Sequence, residues 1–184
     1  MATAPVAPGN TPSYRPLFKR VAQNVLNDTY SIDFMAEFAC IATICGVSLE
    51  DIRTLAIKEH GHPQHGPFWV TETLIQSLLA AHGWKATEWK QVLTPLAGLP
   101  EIAILLVDYN EDLEIGRPVV YQRAASKESP RGYIEHIIDP AYWVPKEKQV
   151  TTDCKAYAPT WYMGIYAMPY PTSGIPKVPQ TVKK

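Results

Sequence analysis

The segment DFMAEFACIATICGVSLEDI, residues 33–52, restricts the fold more than any other part of this chain. From Ile32 to Cys45 it predicts a helix with almost no polar positions, and a helix without a solvent-facing stripe is normally buried on every side. Gly46 then offers a left-handed residue that ends the helix. The polar residues that interrupt its apolar surface are Asp33, Glu37 and Thr43. We therefore expect this helix to be central and to pack against an antiparallel sheet.

The composition indicates a folded domain that is large enough to enclose such a helix. The chain has 184 residues, of which 46% are hydrophobic and 19% are charged, as is typical of a single globular domain. Its net charge of −1 gives no general attraction to nucleic acid or anionic lipid. No apolar run approaches the ~20 residues of a membrane-spanning helix, and residues 1–16 lack the features of a secretory signal. We expect a cytoplasmic protein that binds neither membranes nor nucleic acid.

Proline-rich segments flank the folded part of the chain. Residues 1–16 and residues 169–184 each contain four prolines. Because proline lacks a backbone N–H and stiffens the chain, both segments are predicted to be extended arms or disordered tails. The domain itself is expected to occupy residues 17–168.

Three further helices are predicted in the first half of the chain. A weak helix covers residues 17–26. The sequence SLED at residues 48–51 has the pattern of a capping box and begins a helix that ends near Glu59. Residues 70–83 place four apolar side chains on one helical face, and Gly83 ends that helix.

The second half of the chain is strand-like. The run EIAILLVDY is apolar without alternation, which favours a buried central strand at residues 101–109. Three more strands are predicted, at residues 117–123, 132–139 and 161–168. Helices followed by strands predict an α+β domain of two packed lobes, with the buried helix between them.

The stretch EHGHPQHG contains the one cluster of potential metal ligands, His60, His62 and His65. A helix-borne pair of histidine ligands needs i, i+4 spacing, and two glycines and a proline interrupt this stretch instead. We predict a surface loop, no metal site and no cofactor.

The three cysteines are an odd set without metal-ligand spacing, which is typical of reduced thiols. Their positions are Cys40, Cys45 and Cys154. Cys40 lies in the apolar helix, and a reactive thiol needs a helix N-terminus, a cation or a base beside it. We expect Cys40 to be a small buried hydrophobe.

Two pairs of polar residues are weighed as acid/base couples. Asp33 and Glu37 lie four apart on one helical face, which favours a solvated strip of like charges over a couple. His136 and Asp139 lie three apart on a strand and therefore point to opposite faces. Neither spacing favours catalysis by the pair.

The order of elements resembles that of the papain-like cysteine peptidases, over roughly residues 27–168. The matching features are the buried early helix, the motif GVSLEDI, a helix ending in HGW, and two strands of which the second ends in Asp-Pro. The small bacterial and phage forms, which include the leader-peptidase domains of peptide exporters, are the most similar. The resemblance implies a two-lobed fold with a peptide-binding cleft.

The same resemblance implies where the functional residues stand. In that family the buried helix begins with the nucleophilic cysteine, and a histidine base and an orienting aspartate follow on later strands. Anchored on GVSLEDI, Ala36 occupies the nucleophile position and Arg117 the histidine position, while Asp139 in IIDP keeps the family residue. Tyr30 stands where the family has the glutamine that donates to the oxyanion.

These departures remove both reacting groups. Alanine has no lone pair to attack a carbonyl, and a guanidinium cannot act as a base at neutral pH. Our first hypothesis is a catalytically inactive papain-like domain, bacterial or from a phage in an infected host cell, that binds a peptide or protein in its cleft. Arg117, Asp139 and Glu37 are its expected binding residues, with Arg117 either paired to Asp139 or acting as a carboxylate-binding fork.

Two alternatives come from other functional classes. One is an active thiol hydrolase that uses Cys40 with His136 or another histidine, aided by Asp139. The other is a structural or assembly protein, with a phage as the candidate source, whose proline-rich arms dock to neighbouring molecules.

Overall fold

The structure is a computed structural model and describes residues 17–23, 36–64 and 69–169. Its three helices precede the sheet, and they are α1 (Ala36–Cys45), α2 (Leu49–His60) and α3 (Glu72–Ala81). In the described ranges, no helix is both long and apolar enough to span a bilayer. The two proline-rich arms lie outside these ranges, except for Pro169.

Within the described ranges, seven strands form one antiparallel sheet in the order β1-β7-β3-β4-β5-β6, and β2 also pairs with β7. The strands are β1 (Trp84–Ala86), β2 (Lys90–Gln91), β3 (Ile102–Asn110), β4 (Ile115–Ala125), β5 (Tyr133–Ile138), β6 (Val150–Thr151) and β7 (Trp161–Ala167). Two single turns of 3-10 helix, Leu96–Gly98 and Cys154–Ala156, interrupt the loops. The domain is therefore α+β, as the order of sequence patterns predicts.

Helix α1 is central, as its missing polar stripe predicts. Phe38 and Ile41 are buried, and the helix contacts β4 on one side and α2 and α3 on the others. Its polar Thr43 is buried too, with its hydroxyl accepting a bond from the Val21 N–H at 2.9 Å. The predicted first turn, residues 32–35, lies outside the described part of the chain.

The predicted helix ends are confirmed. Ser48 and Asp51 form the capping box at the start of α2, with each side chain bonding the backbone N–H of the other residue. Gly46 follows α1 with φ of 70°, and Gly83 follows α3 with φ of 82°. Such left-handed conformations are easy for glycine because it has no Cβ.

All four predicted strands are present, and β3 is central because both of its faces are covered. On one face, Ile104 packs in a core shared with the helices, and on the other, Leu105 and Val107 pack under the loops that carry the 3-10 turns. Strands β1, β2 and β6 were not predicted from the sequence. They have only two or three residues each, too few to show an alternating pattern.

The helix predicted over residues 17–26 is wrong in its described part, since residues 17–23 form an extended strap. The backbone N–H groups of the strap bond to distant partners. The N–H of Leu17 donates to Gln122 Oε1 at 3.1 Å, and that of Gln23 to the Pro140 carbonyl at 2.8 Å. Residues 24–26 lie outside the described ranges. Tertiary hydrogen bonds thus outweigh a weak local helix propensity.

Candidate functional site

A cavity of about 260 Å³ lies where the start of α1 meets the hairpin of β3 and β4. It brings together Ala36 and Arg117, which are far apart in sequence. Its lining consists of Ala36, Asp108, Asn110, Leu113, Ile115, Gly116, Arg117, Pro118 and Trp143. We call this the hairpin cavity.

Arg117 reaches the cavity from β4, where it lies opposite Val107 of β3. Its guanidinium Nη1 donates to Oδ2 of Asp139, so the ion pair expected from the sequence is present. Asp139 follows β5 and has no exposed surface. Its Oδ1 accepts a bond from the N–H of Ala141 at 3.0 Å. A buried carboxylate needs such partners to remain charged.

A second carboxylate also bonds Arg117, which was not predicted from the sequence. Nε and Nη2 of Arg117 donate to Oδ2 of Asp108 at 3.0 and 2.7 Å. Asp108 lies at an irregularity in the pairing of β3 with β4 and has φ of 53°, a conformation that aspartate tolerates better than most residues. The hairpin pattern could have indicated this contact, because a turn at residues 111–114 places Asp108 close to residue 117 on the partner strand.

Two aspartates therefore share one guanidinium. Each nitrogen of Arg117 already donates to a carboxylate of this chain, so Arg117 is not an open fork for a free carboxylate. Burial alone would lower the pKa of Arg117, but the hydrogen bonds and charges of Asp139 and Asp108 raise it above its usual value. The residue remains a cation and cannot serve as a base.

Tyr157 completes the surroundings of Asp139. Its hydroxyl lies 3.4 Å from Asp139 Oδ2 and 3.1 Å from the carbonyl of Lys148, and its ring lies 6.0 Å from the Arg117 guanidinium carbon. Burial, followed by the charge of Asp139, raises the pKa of Tyr157 to about 12. The phenol thus stays protonated and can donate a hydrogen bond.

The strap holds the turn that carries Asp139. Nη2 of Arg20 donates to the carbonyls of Pro140 and Ala141 at 3.0 Å each, and Nε donates to the carbonyl of Asp139. Desolvation by burial lowers the pKa of Arg20. No sequence pattern indicates this contact, since nothing local relates residues 20 and 140.

Glu37 does not lie on a solvated strip as expected. It sits in the first turn of α1 and is only partly exposed. Burial raises the pKa of its carboxyl to about 7, although a hydrogen bond from the backbone partly opposes this. Asp33, the other member of the predicted strip, lies outside the described residues.

Cys40 is fully buried in α1. Burial first, and then the charges of Glu37 and Asp139, raise the pKa of its thiol well above the usual value, while Arg117 acts in the opposite direction. A thiolate, the form a nucleophile needs, is disfavoured there.

The remaining candidate residues are spread over the molecule. His136 is buried in β5 opposite Gln122. His60 ends α2, and the ring of His62 packs edge-on against Phe38 at 5.2 Å. Within the described ranges, no group of three histidine, cysteine or acidic side chains is placed to hold a metal ion. His65 and Tyr30 lie outside those ranges.

Comparisons with known proteins found no match that bears on this site. No protein-family model matches the sequence, and no curated protein matches it significantly.

Proposed function

We propose that the chain is a catalytically inactive papain-like domain that binds a peptide segment of a partner protein. The observation that supports this most is that Ala36 and Arg117 line one cavity. These are the positions at which the resemblance places the nucleophile and the base. Asp139, at the third position, bonds Arg117. The proposal includes the finer expectation of two lobes, with α1 to α3 in one and the sheet in the other.

The chemistry of the three residues favours binding over hydrolysis. The methyl group of Ala36 cannot attack a carbonyl carbon. Arg117 remains charged between two carboxylates and cannot accept a proton from a nucleophile. Among the described residues at the three family positions, a substrate placed in this cavity would therefore meet no nucleophile and no general base.

The surface around the cavity is suited to a peptide. Leu113, Ile115 and Trp143 line it and are exposed, Trp143 by 50%. Large apolar side chains that are exposed together commonly mark binding surfaces. An aromatic side chain such as that of Trp143 also contributes a large contact area with little loss of conformational freedom.

The alternative of an active thiol hydrolase has less support. It requires Cys40 to attack a substrate, whereas Cys40 is fully buried and its thiol pKa is raised. The alternative of an assembly protein depends on the proline-rich arms, which are almost wholly outside the described residues. The proposed cytoplasmic setting follows from the composition and the first residues of the sequence, and the proposed bacterial or phage source follows from the resemblance.

Selection from a random peptide library displayed on phage tests the proposal. Peptides enriched on the full chain should remain intact after prolonged incubation with it, as measured by mass spectrometry. Trp143→Ala should weaken their binding about tenfold, the typical effect of removing a central aromatic anchor. Tyr166→Ala is the matched control, because Tyr166 is also half-exposed but lies on β7 and does not line the hairpin cavity.

Cleavage of the selected peptides would overturn the proposal in favour of a hydrolase. If Trp143→Ala and Tyr166→Ala weakened peptide binding equally, the hairpin cavity would be excluded as the binding site. Labelling of the native protein with a thiol probe across pH distinguishes the hydrolase independently, since a nucleophilic cysteine would react with an apparent pKa well below ~8.5.

A further inference from the structure

The hairpin cavity carries an excess of negative charge. Arg117 is bonded by the carboxylates of both Asp108 and Asp139, so the three side chains together have a formal charge of −1. The turn of the same hairpin adds Glu111, Asp112 and Glu114, and no lysine or arginine occurs between Asp108 and Arg117. A cationic ligand is therefore favoured over an anionic one.

Asp108, which lines the cavity, keeps one carboxylate oxygen that Arg117 does not bond. Both bonds from Arg117 to Asp108 go to Oδ2, and within the described part of the chain no donor bonds Oδ1. The side chain of Asp108 is 69% exposed, unlike that of Asp139. Oδ1 can thus accept a hydrogen bond from a ligand without breaking the contact with Arg117.

Apart from Asn110, whose Oδ1 accepts a bond from the Leu113 N–H at 3.0 Å, the other side chains that line the cavity are apolar or aromatic. Leu113, Ile115 and Pro118 offer contacts for a hydrocarbon stem, and the indole of Trp143, which packs edge-to-face with the Tyr142 ring at 4.9 Å, lines the same cavity. Lysine and arginine side chains have this combination of an apolar stem and a charged head. Trp is the aromatic side chain that attracts a cation most strongly.

Neighbouring positive groups do not reverse this preference. The positive end of the α1 dipole lies near Ala36, and Glu37 in the first turn, whose carboxyl pKa is raised to about 7, offsets part of it at neutral pH. Lys146 and Lys148 follow Trp143 in sequence, and neither lines the cavity.

We propose that the hairpin cavity binds a lysine or arginine side chain of the peptide partner. The hydrocarbon stem of the bound side chain lies against Leu113 and Ile115, and its charged head stacks on Trp143. The head also donates a hydrogen bond to Oδ1 of Asp108. This inference rests on the proposed function and specifies the chemistry of the segment that is bound.

Three fluorescein-labelled heptapeptide pools test the preference on the full chain. Each pool is blocked at both ends and random at six positions, and the central residue is Arg, its neutral isostere citrulline, or Glu. Fluorescence anisotropy should show the Arg pool binding about tenfold more tightly than the citrulline pool, a difference of about 1.4 kcal/mol. The Glu pool should bind more weakly than either.

Two matched substitutions locate the charge that matters. Asp108→Asn keeps the shape and suits the left-handed backbone, and it should abolish most of the preference for Arg over citrulline. Asp112→Asn removes the same charge from the same hairpin, but Asp112 does not line the cavity. It should change the preference less than about twofold, because exposed charges are screened.

The outcomes separate this inference from the function on which it rests. If all three pools bound equally and Trp143→Ala abolished their binding, the preference for a basic side chain would be overturned. The proposal of a peptide-binding cavity would then still stand. Equal effects of Asp108→Asn and Asp112→Asn would also overturn it, since the preference would then reflect general charge. Absence of binding by every pool, or binding that Trp143→Ala does not affect, would overturn both proposals.

Discussion

At the scale of single residues, Arg117 shows how an ion pair can occupy a position suited to proton transfer. It bonds Asp139, which is buried, and Asp108, which is exposed. An imidazole at this position could donate one N–H to Asp139 and leave its other nitrogen free as a base. The guanidinium uses all its nitrogens to hold the two strands and the turn after β5 together.

The double change Ala36→Cys with Arg117→His should therefore restore a thiol–imidazole pair. The rate of alkylation by iodoacetamide, corrected for the native thiols, should gain an inflection near the histidine pKa of about 6.5. The single change Ala36→Cys is the control and should lack this inflection. Identical pH profiles for the two variants would mean that side chains 36 and 117 are not within hydrogen-bond reach.

Glu37 makes stability depend on pH. Its pKa is about 7 in the folded protein against an ordinary value of 4.5, so the folded state holds the proton more tightly. Its contribution to stability is complete below about pH 4.5 and is lost as the pH rises through about 7, by about 3 kcal/mol in total. Glu37→Gln should thus be more stable than the wild type at pH 8 and similar to it at pH 4.5.

Urea unfolding at a series of pH values measures this difference. Glu50→Gln is the control, because the Glu50 side chain is 72% exposed on α2 and its removal should not change the pH dependence. If the stability difference between Glu37→Gln and the wild type were constant from pH 4.5 to 8, the carboxyl would not be desolvated in the folded state.

At the scale of elements, α1 has two cysteines in different surroundings. Cys40 is fully buried, whereas Cys45 at the last position of the helix is partly exposed. Cys40→Ser should lower the free energy of unfolding by about 1–3 kcal/mol, because it buries an additional polar group. Cys45→Ser should cost clearly less. Chemical denaturation measures both, and equal losses would contradict the difference in burial.

Peptide binding gives a second readout of Cys40→Ser. In the folded fraction, affinity should be unchanged, because Cys40 does not line the hairpin cavity. A hydrolytic activity that disappears in this variant without loss of stability would instead favour the thiol hydrolase.

The elements that could be predicted are those with a strong local signal. The missing polar stripe identified α1, the SLED motif identified the start of α2, and the continuous apolar run identified β3. The site was predicted less completely. Arg117 and Asp139 were found by the resemblance, but Asp108 and Trp143 reach the cavity through strand register and loop path, which no short sequence window contains.

At the scale of the whole molecule, the strap, which is formed by residues 17–23, is bonded to the turn after β5. Arg20 donates to three successive carbonyls there, two of which belong to the buried residues Pro140 and Ala141. Hydrogen bonds that involve a charged group contribute about 1.5–3 kcal/mol each to net stability. The strap thus fixes the backbone that presents Asp139.

Arg20→Gln should therefore destabilise the protein by about 1–3 kcal/mol, since two or more buried carbonyls lose their donor. Thermal unfolding measures the loss, and amide exchange should be faster at Ala141, whose N–H bonds Asp139. Arg131→Gln is the control because the Arg131 side chain is 72% exposed and forms only a 4.0 Å contact with Glu135. Unchanged stability of Arg20→Gln would show that the strap does not support the turn.

The position of β7 affects the order in which the chain can fold during synthesis. β7 lies between β1 and β3, although it is the last strand of the described chain. Until residues 161–167 have left the ribosome, one edge of β3 is open and β1 and β2 have no strand to join. A nascent chain in that condition presents an apolar edge to other strands. Chaperone contact during translation is expected to last until β7 closes this gap.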